Sequence, residues 1–263
     1  MFSLVLTSLA LLNATLASLI VIIGTIFSVL ILKSYLKTKN PQTLALAIMV
    51  FGSCSGWLTA FINYILYFTG NQLLTGTLYV YITFIFLSLV FPSIVYAGIS
   101  IIKPEQVKIW MLISIALMLA IYIEVFILLP LNIIKISDLT TIANSKLDNF
   151  PENSFNGFAL IYIVLSIIAG ITFGFLLVRF GLLSNFQLVR ARGILIGSGL
   201  VVFSFFATID TIFSTELLSG STFDILIISR VFVIFGIVLT YIGITTPNFI
   251  KSYFNIPEST IIE

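Results

Sequence analysis

Seven long stretches of almost unbroken apolar residues dominate this sequence, at 7–32, 43–68, 78–102, 108–129, 157–179, 190–213 and 224–246. A helix needs about 20 such residues to cross the hydrocarbon layer of a bilayer. Strands of a membrane barrel alternate over about ten residues, and these runs do not alternate. The expected fold is therefore an all-α integral membrane protein, a seven-transmembrane-helix bundle. Residues 1–247 form the transmembrane domain, and 248–263 form a tail at the cytoplasmic interface. The partner implied directly is the lipid bilayer, and the location implied is the cell membrane.

Composition agrees. Charged residues make up 8% of the 263 and hydrophobic ones 60%, against about 25% charged in an average soluble domain. The mean hydropathy is +1.22. A formal net charge of +2 without a basic patch provides no footprint for phosphates, so no nucleic acid is expected. The first cation, Lys33, follows the first apolar run. A signal peptide would place its basic region ahead of a shorter apolar stretch, so this run reads as a retained span.

Lysine and arginine concentrate on cytoplasmic connections. Lys33, Lys37, Lys39, Lys103, Lys108, Arg179, Arg190, Arg192 and Lys251 all fall on one side of the seven-span layout, whereas Lys135 and Lys146 fall on the other. The acids Asp138, Asp148, Glu152 and Glu216 accompany those two. This bias places the N-terminus outside and the C-terminus in the cytoplasm.

The missing residues narrow the function. There is no histidine, hence no usual haem ligand, metal ligand or general base. The single cysteine, Cys54, lies mid-span and reads as a small buried apolar residue. The last span carries Arg230 but no lysine, so it has no amine for a retinal Schiff base. No HExxH helix or paired-carboxylate site is present. The expectation is a non-enzyme with no catalytic residues, cofactor or metal.

Three ionised residues fall within spans, where each costs about 2.5–3.5 kcal/mol at the bilayer centre. Glu124 lies about 24 Å along span 4 from Lys108, Asp210 about 27 Å along span 6 from Arg192, and Arg230 about 9 Å into span 7, at 1.5 Å of rise per residue. All three come out in the outer third, with Asp210 and Arg230 as the first pair. One reading makes Glu124, Asp210 and Arg230 a ligand-binding cluster at the floor of an outward pocket, where Arg230 meets an anion. The other makes them a structural ion pair pinning spans 6 and 7, or side chains snorkelling to the interface.

Ser55, Thr59 and Asn63 step by four along span 2 and share a face, which must point inward because an amide in lipid is costly. That face lines a pocket or makes interhelical hydrogen bonds. Tyr64, Tyr67, Tyr79 and Tyr81 flank the second connection and read as an interfacial aromatic belt. Pro92, inside span 3, frees a carbonyl one turn earlier and kinks the helix. Three GxxxG pairs, Gly52/Gly56, Gly170/Gly174 and Gly193/Gly197, offer flat strips for packing within the bundle or for a homo-oligomer face. Phe249, Ile250, Tyr253 and Phe254, with Lys251 and Ser252 opposite, mark a short amphipathic helix after span 7.

Span 2, LALAIMVFGSCSGWLTAFINY after Asn40–Pro41, and span 3, with FIFLSLVFPSIVY, carry Trp57 and Pro92. Over these two spans the chain resembles the seven-helix N-terminal sensor region of prokaryotic receptor histidine kinases and related archaeal seven-helix membrane proteins. The resemblance implies a receptor-like bundle, N-terminus outside, that senses a ligand or the membrane. The chain carries no kinase after span 7, so its output would be a separate cytoplasmic signalling protein docked at the basic inner loops. The alternatives are a transporter of small neutral solutes and an accessory subunit of a membrane complex.

Overall fold

The computed structural model describes residues 8–74, 76–143, 152–214, 223–254 and 256. Lys146, Asp148, Glu216 and the tail beyond Ile256 lie outside the described residues. Among the described residues, seven helices are long and apolar enough to cross a membrane: spans 1 (Leu11–Thr38), 2 (Pro41–Phe68), 3 (Gly76–Ile102), 4 (Pro104–Leu128), 5 (Gly157–Leu183), 6 (Gln187–Ile212) and 7 (Asp224–Thr245). The largest difference from the sequence expectation is at the basic end, which also holds most of the exposed cations. Span 1 runs on to Thr38, and spans 5 and 6 continue until only Ser184–Phe186 separates them. Lys33, Lys37, Arg179, Arg190 and Arg192 therefore sit on helical ends and not in loops, because helices can project past their apolar cores into water. Span 2 starts sharply. Asn40 caps it by accepting the Gln42 N–H at 2.9 Å, and Pro41 supplies a fixed φ at the first turn.

Span 1 packs on spans 2 and 7, and span 3 packs on spans 2, 4 and 5. Spans 5, 6 and 7 follow one another side by side, and span 4 is the least buried of the seven. The core between them holds Ile20, Val80, Phe84, Ile121 and Val233. Outward-facing apolar side chains such as Leu112, 72% exposed, cover the bundle.

Glycine fixes the contact between spans 5, 6 and 7. A methyl group at Gly174 would sit 2.8 Å from the Gly197 carbonyl oxygen, and one at Gly193 would sit 2.7 Å from the Gly181 Cα. A methyl at Gly236 would meet the Phe203 nitrogen at 2.7 Å. Of the GxxxG glycines, Gly52 abuts the Phe86 carbonyl of span 3 and Gly170 abuts Ser204 of span 6. Five of the six are thus spent on contacts within the bundle, and Gly56 is the exception.

Spans 5–7 are continuous helices, whereas spans 2–4 are each interrupted. Span 2 tightens into a 3₁₀ turn at Ser55–Trp57, span 3 breaks at Ser88–Leu89, and span 4 ends in a π-helical turn at Glu124–Leu128. Such irregularities mark places where the i→i−4 ladder gives way to another demand.

The only strands among the described residues lie in the connection from span 4 to span 5. β1 (Thr140–Ala143) pairs antiparallel with β2 (Glu152–Phe155), Thr140 opposite Phe155 and Ala143 opposite Glu152. The pair is anchored at its base, where the Asn156 N–H donates to the Leu139 carbonyl at 2.8 Å. Gly157 then opens span 5 at φ +54, 2.6 Å from the Asp138 carbonyl oxygen by the position a Cβ would take. The helix Asn248–Tyr253 follows Pro247, with Phe249 and Tyr253 exposed and Ile256 buried.

Candidate functional site

Asp210 and Arg230 form a buried ion pair, Arg230 Nε to Asp210 Oδ1 at 2.8 Å, with the two residues 1% (Arg230) and 5% (Asp210) exposed. Each is held by a further span. The Trp57 indole N–H donates to Asp210 Oδ2 at 3.0 Å, and Arg230 Nη1 donates to the Asn13 carbonyl at 2.9 Å. Ser229 Oγ reaches Asp210 Oδ1 at 3.5 Å while donating to Leu226 at 2.8 Å. One polar chain, Trp57–Asp210–Arg230–Asn13, therefore ties spans 2, 6, 7 and 1. The 3₁₀ turn at Ser55–Trp57 occurs where the indole leaves span 2 to reach span 6.

Glu124 does not join this pair. It stands at the π-helical turn of span 4, which packs against span 3, and its Oε2 is buried with no hydrogen-bond partner. Depth along a helix axis puts the three charges at one level, but span 4 packs on spans 3 and 5, so Glu124 stands away from the pair on spans 6 and 7.

Beside the ion pair lies a cavity of about 120 Å³. Its wall takes Ser53, Gly56, Trp57 and Ala60 from span 2, spaced i, i+3, i+4, i+7 along one helix face. Span 3 adds Tyr79 and Val90, span 5 Tyr162 and Ser166, span 6 Phe203, Ser204, Ala207 and Asp210, and span 7 Arg230. Phe155 of β2 also faces it, stacked edge-on against Phe84 with centroids 5.7 Å apart. The cavity therefore reaches from the hairpin end toward the middle of the bundle.

The polar face Ser55, Thr59 and Asn63 is buried but turned away from this cavity. Ser55 Oγ donates to the Gly52 carbonyl at 2.6 Å, and Thr59 and Thr83 share a hydrogen bond at 3.2 Å. Asn63 clamps the connection after span 2, accepting the Leu74 N–H at 2.7 Å and donating to its carbonyl at 3.3 Å. Of the three, Thr59 joins span 2 to span 3, Ser55 bonds within span 2, and Asn63 holds the connection between them. Pro92 lies behind the break at Ser88–Leu89. The Ser88 carbonyl, which the missing N–H of Pro92 cannot reach, accepts the hydroxyl of Tyr162.

Sequence reasoning missed most of the wall, its aromatic members above all. Tyr79, expected in the aromatic belt, is buried. Tyr162, Phe155 and the indole of Trp57 were not assigned a site role. The small-and-aromatic face Ser53/Gly56/Trp57/Ala60 was the available signal. No protein-family model and no curated protein matches the chain.

Proposed function

We propose that the protein is a multi-pass cell-membrane protein of receptor-like function, N-terminus outside, that binds a small molecule in the cavity beside Asp210–Arg230. The observation that carries this is the sharing of groups. Trp57, Asp210 and Arg230 line the cavity and also make the polar chain joining spans 1, 2, 6 and 7. A ligand touching the wall touches the links between helices, which is how binding can bias a bundle between two arrangements.

The interruptions in spans 2 and 3 support this reading, since both spans line the cavity across from the glycine-packed spans 5–7. A ligand would then press a yielding wall against a fixed one. The tight Gly181–Gly193 contact toward the basic end favours this reading over a neutral-solute transporter, which needs a second opening there. The resemblance of spans 2 and 3 to histidine-kinase sensor regions points the same way, with a separate cytoplasmic signalling protein at the basic end as the output.

The test compares the full-length protein with Gly56→Leu, both purified gently from native membranes. A methyl at Gly56 meets only Leu87, at 3.8 Å, so there is open cavity beyond it for a larger side chain. A small molecule identified by mass spectrometry with the wild type and lost from the folded variant supports the proposal. Identical small-molecule contents from both reject it.

A further inference from the structure

The geometry points to a ligand class: an uncharged molecule with an apolar body of about one ring and a single hydroxyl or carbonyl group. This rests on the reading above that the cavity holds a ligand. The argument begins with charge. The two ions on the wall are already matched to each other at 2.8 Å, and the outer oxygen of Asp210 is taken by Trp57 at 3.0 Å. Arg230 in turn donates to the Asn13 carbonyl. An anion beside this matched pair would set two buried negative charges against one arginine. A cation would set two positive charges against one carboxylate. Either ion leaves one buried charge without a counter-ion, which is the costliest arrangement in a low-dielectric interior. The wall thus rejects both signs, including the anion that Arg230 alone would attract.

Size and polarity complete the description. The cavity of about 120 Å³ is close to the volume at which an apolar protein cavity, about 150 Å³, takes up benzene. Trp57, Phe155 and Phe203 offer aromatic surface to a flat apolar body. Most wall hydroxyls are committed: Tyr162 to Ser88, Ser166 to Tyr162, Thr211 to Ala207. Ser53 and Ser204 also face the cavity, and among the described residues their hydroxyls make no hydrogen bond. They can give or accept one bond to a neutral polar group, which orients the ligand.

The test uses three molecules of nearly one shape: benzyl alcohol, benzoate and benzylammonium. The chain has two tryptophans, so Trp110→Phe leaves Trp57 as the only indole, and its emission reports on the wall. Each probe is titrated into the full-length protein in detergent, with Gly56→Leu and Ala207→Phe as two separate cavity-filled controls. Protection of the buried Cys54 thiol from a thiol-reactive dye identifies folded protein. The expected result is saturable binding of benzyl alcohol, at least ten-fold tighter than either ion, and abolished in every folded control. An ion binding as tightly as the alcohol, with the controls still blocking it, overturns the ligand class but leaves the cavity reading standing. A response that the filled controls do not alter overturns both.

Discussion

The hydroxyl of Tyr162 on span 5 donates to the main-chain carbonyl of Ser88 on span 3, four residues before Pro92. In a regular helix that carbonyl would accept the N–H of residue 92, which proline lacks. The helix is interrupted at Ser88–Leu89, and a side chain from another span takes over the bond. Tyr162 also packs edge-on against Phe91, with centroids 5.9 Å apart, and lines the cavity. The local break in span 3 and the wall of the candidate site are therefore one feature.

Tyr162→Phe keeps the ring and removes the donor. It leaves the Ser88 carbonyl buried without that partner, which costs about 1–3 kcal/mol. Pro92→Ala restores a main-chain N–H to the helix, so in that background the Tyr162→Phe cost should fall by at least half. Thermal unfolding followed by exposure of the Cys54 thiol measures all four corners of the cycle. Equal losses in both backgrounds would show that Tyr162 acts on stability through packing alone.

The ion pair makes a sharper contrast. Asp210→Asn or Arg230→Met alone leaves one buried charge, a loss of about 3–5 kcal/mol for buried pairs. Asp210→Leu combined with Arg230→Met removes both charges and should recover most of that loss in the same unfolding assay. Trp57→Phe, which removes the indole N–H donor to Asp210 together with part of the aromatic surface, should cost at least about 1–3 kcal/mol. A double variant no better than the worse single one would mean that the polar chain holds the four spans by geometry that apolar packing cannot replace.

The parts of this fold that follow from water and lipid were legible in the sequence. Long apolar runs must become helices, and a lone aspartate and arginine on consecutive spans must meet, as Asp210 and Arg230 do. What depends on the rotation of one helix against another was not legible. Glu124 belongs to span 4, which packs on spans 3 and 5 and away from the pair, and Ser55, Thr59 and Asn63 turn from the cavity while the adjacent face carrying Trp57 meets it. The strand pair at Thr140–Ala143 and Glu152–Phe155 was also unforeseen, because four-residue strands in a polar connection carry too little alternation to be read. It matters to the site, since Phe155 closes one side of it.

Glycine gives a prediction with opposite signs at two positions. Gly174→Val forces a branched side chain against Val201 and the Gly197 carbonyl, both within 3 Å of where its Cβ would stand. It should separate spans 5 and 6 and prevent stable folding, lowering the yield of monodisperse protein. Gly56→Ala meets only ordinary contact at 3.8 Å and restricts the unfolded chain. It should change stability by less than about 1 kcal/mol, in the stabilising direction. Size-exclusion profiles and the Cys54 unfolding assay separate the two. A well-folded Gly174→Val would show that the seam between spans 5 and 6 has more room than its backbone contacts imply.

Orientation in the membrane can be read with the same cysteine removed. In a Cys54→Ala background, Lys37→Cys marks the basic end and Asn132→Cys the hairpin end, both at exposed positions. Nine cations gather at the basic end, and the bias of such residues toward the cytoplasm sets the expected direction. A membrane-impermeant maleimide added to intact cells should label Asn132→Cys fully and Lys37→Cys only after the membrane is opened. That outcome puts the hairpin and the cavity it covers on the outside, within reach of molecules in the surroundings. The reverse pattern would turn the cavity toward the cytoplasm, and the ligand would then have to come from within the cell.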